Sequence, residues 1–381
     1  MVISITDALR ETGVVAVGLL LALVISVRRT KDTSFFPLQT TTELKGLAIL
    51  MVVLSHIGYF LVRDHRFLVP LSNYAGVGVD LFLVLSGFGL VVSALKKPLS
   101  IGGFYSKRLR RIYIPVAATV ALFVMLDFIF LHLTYPLKTV IENILGFFPH
   151  ADLYLDIDSP LWYITPLLAY YILFPLIFWK RFPAVSAVGM ALFGWLFIVY
   201  SPKFNIVSTD MIRMYKLHFL SFPSGMVLAS AISRTPKFIS NIVERSGALL
   251  KSFYLSTVLR FAALVVAGSV FAYTYFNSFV GQDWKMESAA SLFTVAAIIV
   301  IFLFMKINFK ILSLFGAFSF EIYLLHWPLL YRYNFLYGKI PAGAATLIYL
   351  ALFLGLGYLY AGLFRRIFSP AAARLKKEET K

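Results

Sequence analysis

The 381-residue sequence contains no cysteine and few charged residues. The absence of cysteine excludes a disulfide framework, a thiolate metal site and a cysteine nucleophile. Only 14% of the residues are charged and 60% are hydrophobic, which excludes an ordinary soluble protein. Acidic residues are scarce: the sequence has 18 Asp and Glu and 35 Lys and Arg, which gives a formal net charge of +17. In a membrane chain we attribute this excess to topology and expect no nucleic-acid partner.

Long apolar runs dominate the sequence instead, and eleven of them are long enough, or nearly so, to span a membrane. They are residues 12–27, 44–62, 76–95, 112–133, 161–179, 184–200, 217–233, 256–274, 288–305, 311–336 and 342–363. The predicted fold class is all-α, a polytopic integral membrane helix bundle of about 11 transmembrane helices. The predicted organisation is an N-terminal span with a basic loop (1–35), a membrane domain (36–366) and a basic tail (367–381).

Basic residues concentrate on alternate connections between these runs. Segments 28–31 and 107–111 are rich in Lys and Arg, whereas the loop 134–160 carries four carboxylates. Because basic loops stay in the cytoplasm, this pattern predicts the N-terminus outside and the C-terminus inside.

The stretch 43–56 carries charge into an apolar helix and places a histidine deep within it. Lys45 and His56 are eleven positions apart, so they lie within about 20° of one helix face and roughly 16 Å apart along the axis. A full charge inside hydrocarbon costs about 2.5 kcal/mol or more, so ionisable residues there are functional candidates. We therefore predict that His56 is the reactive centre.

Asp80 opens the third run at a depth similar to that of His56 on the preceding, antiparallel run. A carboxylate there would hold the imidazole in one tautomer and stabilise its protonated form, as a general base requires. The alternative is that Asp80 caps the start of its helix. Ser86 and Gly87, farther along, favour close helix packing.

Arg108 and Arg111 lie three positions apart at the cytoplasmic entrance to the fourth run. They face the same way on a helix and would hold a phosphate by bidentate hydrogen bonds. The alternative is a topology determinant that binds anionic lipid.

Glu321 and His326 occupy an otherwise apolar late run. Their separation of five puts them about 140° apart, so they face one point only if the helix bends, for which Pro328 is the candidate. Glu321 in lipid requires a cationic partner or protonation, and we expect it to support the site. Four further histidines are interpreted as surface residues: His65, His132, His150 and His218.

Taken together and in this order, these segments resemble the acyltransferase-3 family of integral membrane O-acyltransferases. The resemblance rests on Lys45 and His56 with ten residues between them, Gly78-Val79-Asp80-Leu81-Phe82 leading to Ser86-Gly87-Phe88, Arg108-x-x-Arg111, Leu161-Trp162-Tyr163, and Tyr323-Leu324-x-His326. It covers about residues 40–364. The family core usually has ten spans, so the run at 12–27 is an additional one.

The resemblance implies an acyl-CoA-dependent O-acetyltransferase of the bacterial cytoplasmic membrane. It would move an acyl group, usually acetyl, from cytoplasmic acyl-CoA to a hydroxyl of a surface polysaccharide or lipid-linked glycan of the cell envelope. Acetyl-CoA would be a co-substrate, with no resident cofactor or metal, and membrane lipids and a homo-oligomeric partner are compatible with it. The catalytic residues implied are His56, Asp80 and Glu321. The residues implied to bind acyl-CoA are Lys45, Arg108, Arg111, Trp162, Tyr323 and His326.

Two other functions would use intramembrane charges and basic loops. A transporter or flippase for an anionic or lipid-linked glycan also needs both features. A non-catalytic scaffold of a glycan-assembly complex is the third interpretation. No internal repeat is visible in the sequence, which counts against a transporter built from duplicated halves.

Overall fold

A computed structural model describes residues 3–29, 36–246, 253–277, 283–305 and 307–378. In these ranges the chain folds into helices joined by short connections and one two-stranded ribbon. The helices are α1 (Ala8–Ile25), α2 (Leu38–Ser55), α3 (Ala75–Lys96), α4 (Ile101–Leu131), α5 (Leu137–Ile144), α6 (Ile164–Ile177), α7 (Pro183–Tyr200), α8 (Thr209–His218), α9 (Ser221–Ser246), α10 (Phe253–Asn277), α11 (Trp284–Met305), α12 (Lys310–Ala317), α13 (Ser319–Tyr331) and α14 (Ala342–Glu378).

Each of the eleven predicted apolar runs overlaps a helix, but not each helix qualifies as a span. Within the described ranges, eight helices are long and apolar enough to cross a membrane, and α12 with α13 would make a ninth. The apolar part of α10, Arg260–Thr274, is too short to qualify by itself. The all-α membrane bundle is confirmed, whereas the count of eleven spans is not.

The bundle is organised around α2 and α3. About 72% of the apolar window that contains α2 and 67% of that containing α3 are buried, against 17% for α1 and 28% for α14. Side chains on the first pair therefore meet other side chains, whereas those on the second pair largely face outward. Chemistry that needs several converging polar groups is accordingly expected on α2 and α3.

Glycines let two pairs of helices approach until their backbones touch. A Cβ on Gly46 of α2 or on Gly316 of α12 would collide with the backbone of the other helix. A second crossing of this kind joins Gly87 of α3 and Gly225 of α9. Such small-residue contacts are how helices pack closely in membranes. The first crossing brings Lys45 next to the start of α13.

The two-stranded ribbon ties distant connections together. Strand β1 (Val27–Arg29) pairs antiparallel with β2 (Ile307–Phe309), so the end of α1 and the end of α11 lie on one side of the bundle. Ile3 pairs with Val62 in an isolated bridge. Both pairings agree with the predicted sidedness of these connections, while the orientation in the membrane stays a prediction.

Two predicted segments fall partly outside the described ranges. In the N-terminal segment 1–35, residues 1–2 and 30–35 lie outside them. The predicted tail 367–381 is not separated from the last span, because α14 continues without interruption through Glu378. Residues 379–381 lie outside the described ranges.

Candidate functional site

His56 stands where α2 changes its winding. The helix continues beyond Ser55 as one π-helical turn, His56–Leu61, and His56 is the first residue of that turn. Wider turns of this kind occur often at functional sites, because they shift side chains out of the regular helical pattern. The imidazole is about nine-tenths buried.

His56 is paired with a second histidine. Its Nδ1 lies 2.7 Å from Nε2 of His326, which is fully buried on α13. The two ring planes differ by only 10° and the centroids are 4.9 Å apart, so the rings meet edge to edge within hydrogen-bond distance. The structure therefore joins two histidines that the sequence interpretation assigned to different roles.

Backbone carbonyls determine which nitrogens of the pair carry protons. Nδ1 of His326 lies 2.8 Å from the carbonyl oxygen of Tyr323 and 3.2 Å from that of Ile322. A carbonyl only accepts, so this nitrogen must donate, and in neutral His326 the other nitrogen, Nε2, accepts. His56 then donates from Nδ1 and keeps an unprotonated Nε2. That nitrogen is the one able to take a proton from another molecule.

The predicted contact between Asp80 and His56 is not found. Asp80 is fully buried and accepts hydrogen bonds from Nδ1 of His218, at 2.6 Å, and from the hydroxyls of Ser221 and Ser291. The reason is rotational. Gly78 packs against α2, and Asp80, two residues farther along α3, points about 200° away from that contact.

His218 is therefore not the surface residue that the sequence suggested. It ends α8, is buried, and stacks on Trp162 with ring centroids 5.7 Å apart. The spacing of His218 and Ser221 by three positions was the available signal, since both side chains meet the same carboxylate. In the described part of the chain, no cluster of three His, Asp or Glu residues is suited to a metal ion.

A polar cavity of about 200 Å³ collects most of the other candidates. We call it the cation cavity. Its lining includes Lys45 from α2, Arg108 and Arg111 from α4, and Glu321 and Tyr323 from α13. Three basic side chains against one carboxylate make the space attractive to a polyanion. Arg111 is exposed and Arg108 is half-buried, so the cavity has an accessible rim.

After a sharp bend, α13 contributes side chains both to the cation cavity and to the histidine pair. The axes of α12 and α13 differ by 75°, with the break at Phe318 and not at the predicted Pro328. Glu321, near the bend, reaches the cation cavity, whereas His326, one turn and more beyond, meets His56. Tyr323 lies between them: it lines the cavity, and its ring centroid is 6.0 Å from that of His326.

Two candidates have surroundings that differ from those expected. The carboxylate of Glu321 makes no ion pair within 4 Å in the described ranges, although it shares a cavity with three cations. Trp162 does not line the cation cavity at all. Its neighbour Tyr163 does, while Trp162 turns toward His218.

The loop between α5 and α6 closes over the histidine pair. The indole N–H of Trp327 donates to the carbonyl of Leu153 at 2.9 Å, and Arg332 donates to the carbonyls of Asp156, at 3.1 Å, and Ile157. The Tyr323 hydroxyl donates to the carbonyl of Pro160. Because Trp327 also contacts His56, with ring centroids 5.4 Å apart, the loop and α13 together shield the pair.

Asp158 of this loop is expected to destabilise the fold at neutral pH. Its carboxylate is buried, and neither oxygen has a hydrogen bond in the described ranges. Burial raises the pKa of Asp158 well above its usual value, while Arg332 acts in the opposite direction. A raised folded-state pKa means that stability is greatest at low pH and falls as pH rises from the unfolded-state pKa through the folded one. Asp158→Asn should therefore raise the melting temperature at pH 7.5 and leave it nearly unchanged near pH 4.

Thermal unfolding in detergent at both pH values measures this effect. Asp152→Asn is the matched control, because Asp152 accepts backbone hydrogen bonds from Tyr154 and Leu155 and gains nothing from neutralisation. A melting temperature lowered by Asp158→Asn at pH 7.5 would contradict the expectation and show that Arg332 compensates the charge.

Comparison with known protein families found a match that covers most of the chain. The family model Acyl_transf_3, described as an acyltransferase domain, matches residues 44–362, which begins one residue before Lys45 and ends within α14. No curated protein and no solved structure shows a significant match to the chain. The matched region contains both histidines of the pair and every basic residue named in the cation cavity. The chain belongs to the acyltransferase-3 family and is a membrane acyltransferase.

Proposed function

We propose that the protein is an O-acyltransferase that moves an acyl group, acetyl on the family resemblance, from cytoplasmic acyl-CoA to a hydroxyl of a carbohydrate acceptor. The acceptor is a surface polysaccharide or a lipid-linked glycan. One observation carries the proposal: a cavity with three cations ends at Tyr323, whose ring neighbours the His56–His326 pair. A polyanion site and a candidate base thus lie on either side of Tyr323.

The cation cavity supports binding of coenzyme A. Guanidinium groups hold phosphate oxygens by two parallel hydrogen bonds, and an ammonium group adds a point charge. Arg108 is further held by aromatic rings, with its Cζ 5.6 Å from the ring centroid of Tyr171 and 6.0 Å from that of Phe104. These contacts restrain the side chain before the ligand arrives, which lowers the entropy lost on binding.

The histidine pair supports general-base catalysis. Nε2 of His56 removes the proton of the acceptor hydroxyl as its oxygen bonds to the thioester carbonyl carbon. The carbon–sulfur bond then breaks, and the leaving thiolate of coenzyme A takes the proton from the His56 imidazolium. His326 keeps Nδ1 of His56 protonated throughout and is a positioning residue. Direct transfer needs no acyl-enzyme, and the chain has no cysteine to form one.

Incubation of membranes with radiolabelled acetyl-CoA tests the proposal. Membranes that contain the protein should transfer label to cell-envelope glycan, and membranes without it should not. The competing transporter or flippase moves glycan without labelling it. Glycan translocation in the absence of any labelled product would therefore overturn the proposal.

Arg108→Ala or Arg111→Ala should weaken binding of coenzyme A by about 10- to 100-fold. Each arginine would supply charge-assisted hydrogen bonds to phosphate worth about 1.5–3 kcal/mol. Lysine at the same position should restore only part of the affinity, because it lacks the planar fork. Calorimetry on the purified protein measures the dissociation constants.

Arg110→Ala is the matched control for these variants. Arg110 is on the same helix turn and is exposed, but it does not line the cation cavity. An equal loss of affinity in all three variants would show a general surface-charge effect. Unchanged affinity in Arg108→Ala and Arg111→Ala would return these residues to the role of topology determinants.

A further inference from the structure

A second cavity, of about 240 Å³, lies between α6, α7 and α8 and is separate from the cation cavity. We call it the apolar cavity. The residues that line it are buried or half-buried, so most of its wall lies within the helix bundle. Its wall is made chiefly of Leu83, Phe147, Trp162, Phe193, Phe197 and Phe219.

Most polar side chains of this wall form hydrogen bonds with other groups of the protein and not with the cavity. The Tyr170 hydroxyl donates to the carbonyl of Phe219 at 2.8 Å, and Nδ1 of His218 is held by Asp80. The buried hydroxyl of Tyr215 has no partner at hydrogen-bond geometry among the described residues. A sugar ring brings several hydroxyls, and each one left unpaired in such a space costs free energy. A hydrocarbon chain needs no partners, so the wall suits hydrocarbon.

The apolar cavity and the cation cavity share one wall. Trp162 lines the apolar cavity and its neighbour Tyr163 lines the cation cavity. In the same way, Leu83 lines the apolar cavity and its neighbour Phe82 lines the cation cavity. Tyr163 also contacts Tyr323, with ring centroids 5.7 Å apart, next to the histidine pair. A chain that extended from a thioester at Tyr323 toward Tyr163 would therefore reach this wall.

We propose that the apolar cavity binds the acyl chain of the donor thioester and that the protein accepts acyl groups of roughly four to eight carbons. This inference rests on the proposed function. A water molecule takes about 30 Å³ of liquid, and a methylene group is similar in size, so the cavity holds a chain of several carbons. The single methyl group of acetyl leaves this volume unused. The proposal requires the chain to pass beside Trp162 and Leu83, which line the apolar cavity on the side of the shared wall.

Binding of a thioester series to the purified protein in lipid nanodiscs tests the proposal without knowledge of the acceptor. The series is coenzyme A, acetyl-CoA, butyryl-CoA, hexanoyl-CoA, octanoyl-CoA and dodecanoyl-CoA. A fully buried methylene strengthens binding by about fourfold, so hexanoyl-CoA should bind at least about 10-fold more tightly than acetyl-CoA. The gain should cease by dodecanoyl-CoA, which exceeds the volume.

Two variants alter the cavity in opposite directions. Ala169→Phe fills it and should reduce the ratio of hexanoyl-CoA to acetyl-CoA affinity to near one. Phe193→Ala enlarges it and should move the tightest binding to a longer chain, which keeps the test decisive if the filled variant does not fold. Val188→Phe adds the same bulk at a position on α7 that is 67% exposed, and should keep the wild-type ratio.

The outcomes separate this inference from the proposed function. If coenzyme A itself does not bind, the proposed function fails. If coenzyme A binds but affinity is equal along the series, the apolar cavity does not receive the chain and the inference is overturned. A chain-length preference that is the same in wild type and in Ala169→Phe overturns it as well, because the preference then arises from the surrounding lipid.

Discussion

Replacing His56 by alanine is expected to lower acyl transfer by about 10²- to 10⁴-fold, the range that a positioned general base contributes. The imidazole is buried and its Nδ1 is bonded to His326, so Nε2 is the nitrogen left for an acceptor hydroxyl. Alanine removes that nitrogen and leaves the cation cavity intact. Affinity for coenzyme A should therefore stay close to that of the wild type while turnover is lost. Labelled-glycan formation and calorimetry measure the two quantities on one preparation.

His65→Ala is the matched control, because His65 is an exposed histidine of the loop that follows the same helix. It should retain wild-type transfer and wild-type binding. If His56→Ala kept more than about a tenth of the activity, His56 would not be the base. A loss of less than about tenfold is far smaller than the 10²- to 10⁴-fold that a general base contributes.

Replacing His326 by alanine should be nearly as damaging, although this residue is not expected to touch the reacting atoms. Without its Nε2, nothing keeps the proton of His56 on Nδ1, and the tautomer with a protonated Nε2 cannot act as a base. We expect turnover to fall by about 10²-fold or more, by analogy with other bases that lose the group that orients them. His326→Gln offers an amide oxygen to the same N–H and should recover part of the rate.

Nitrogen NMR of the histidine side chains distinguishes orientation from mere packing. The chain has only six histidines, so the His56 signals are assignable by comparison with His56→Ala. Wild type and His326→Gln should show His56 protonated at Nδ1, and His326→Ala should show a mixture with Nε2 protonation. If the tautomer were unchanged in His326→Ala while activity fell, the carbonyl-held pair would have no orienting role and the loss would come from packing.

The cation cavity was largely predictable from sequence. Arg108 and Arg111 fall on one helix face, because the helical repeat brings residues three positions apart side by side. Glu321 needed a cationic neighbourhood once it was placed in an apolar span. The structure indeed puts Glu321 and the basic residues around one space. Helical periodicity and the cost of buried charge were sufficient for that part of the site.

The histidine pair and the partner of Asp80 were not predictable in the same way. Depth along neighbouring helices suggested that Asp80 faces His56, but depth says nothing about rotation, and Gly78 takes the contact with α2. Glu321 and His326 lie about 140° apart on α13, and this angle directs them to different places: Glu321 to the cation cavity and His326 to His56. No bend between them brings the two side chains to one point. Which partner each side chain meets depends on tertiary contacts that no local pattern records.

The loop whose carbonyls bind Trp327 and Arg332 has a further consequence for the membrane as an electrical barrier. On the proposed function, the protein binds coenzyme A next to exposed Arg111 and holds a base at the buried histidine pair, so a gap beyond that pair would weaken the barrier to ions. Each elementary charge that moves down a potential of 100 mV releases about 2.3 kcal/mol, and an open path would dissipate the proton gradient of the cell. The hydrogen bonds of Trp327 and Arg332 to loop carbonyls hold the loop against the end of α13, beside that pair. On the proposed function, these bonds keep the protein closed to ions while acyl groups pass to the acceptor.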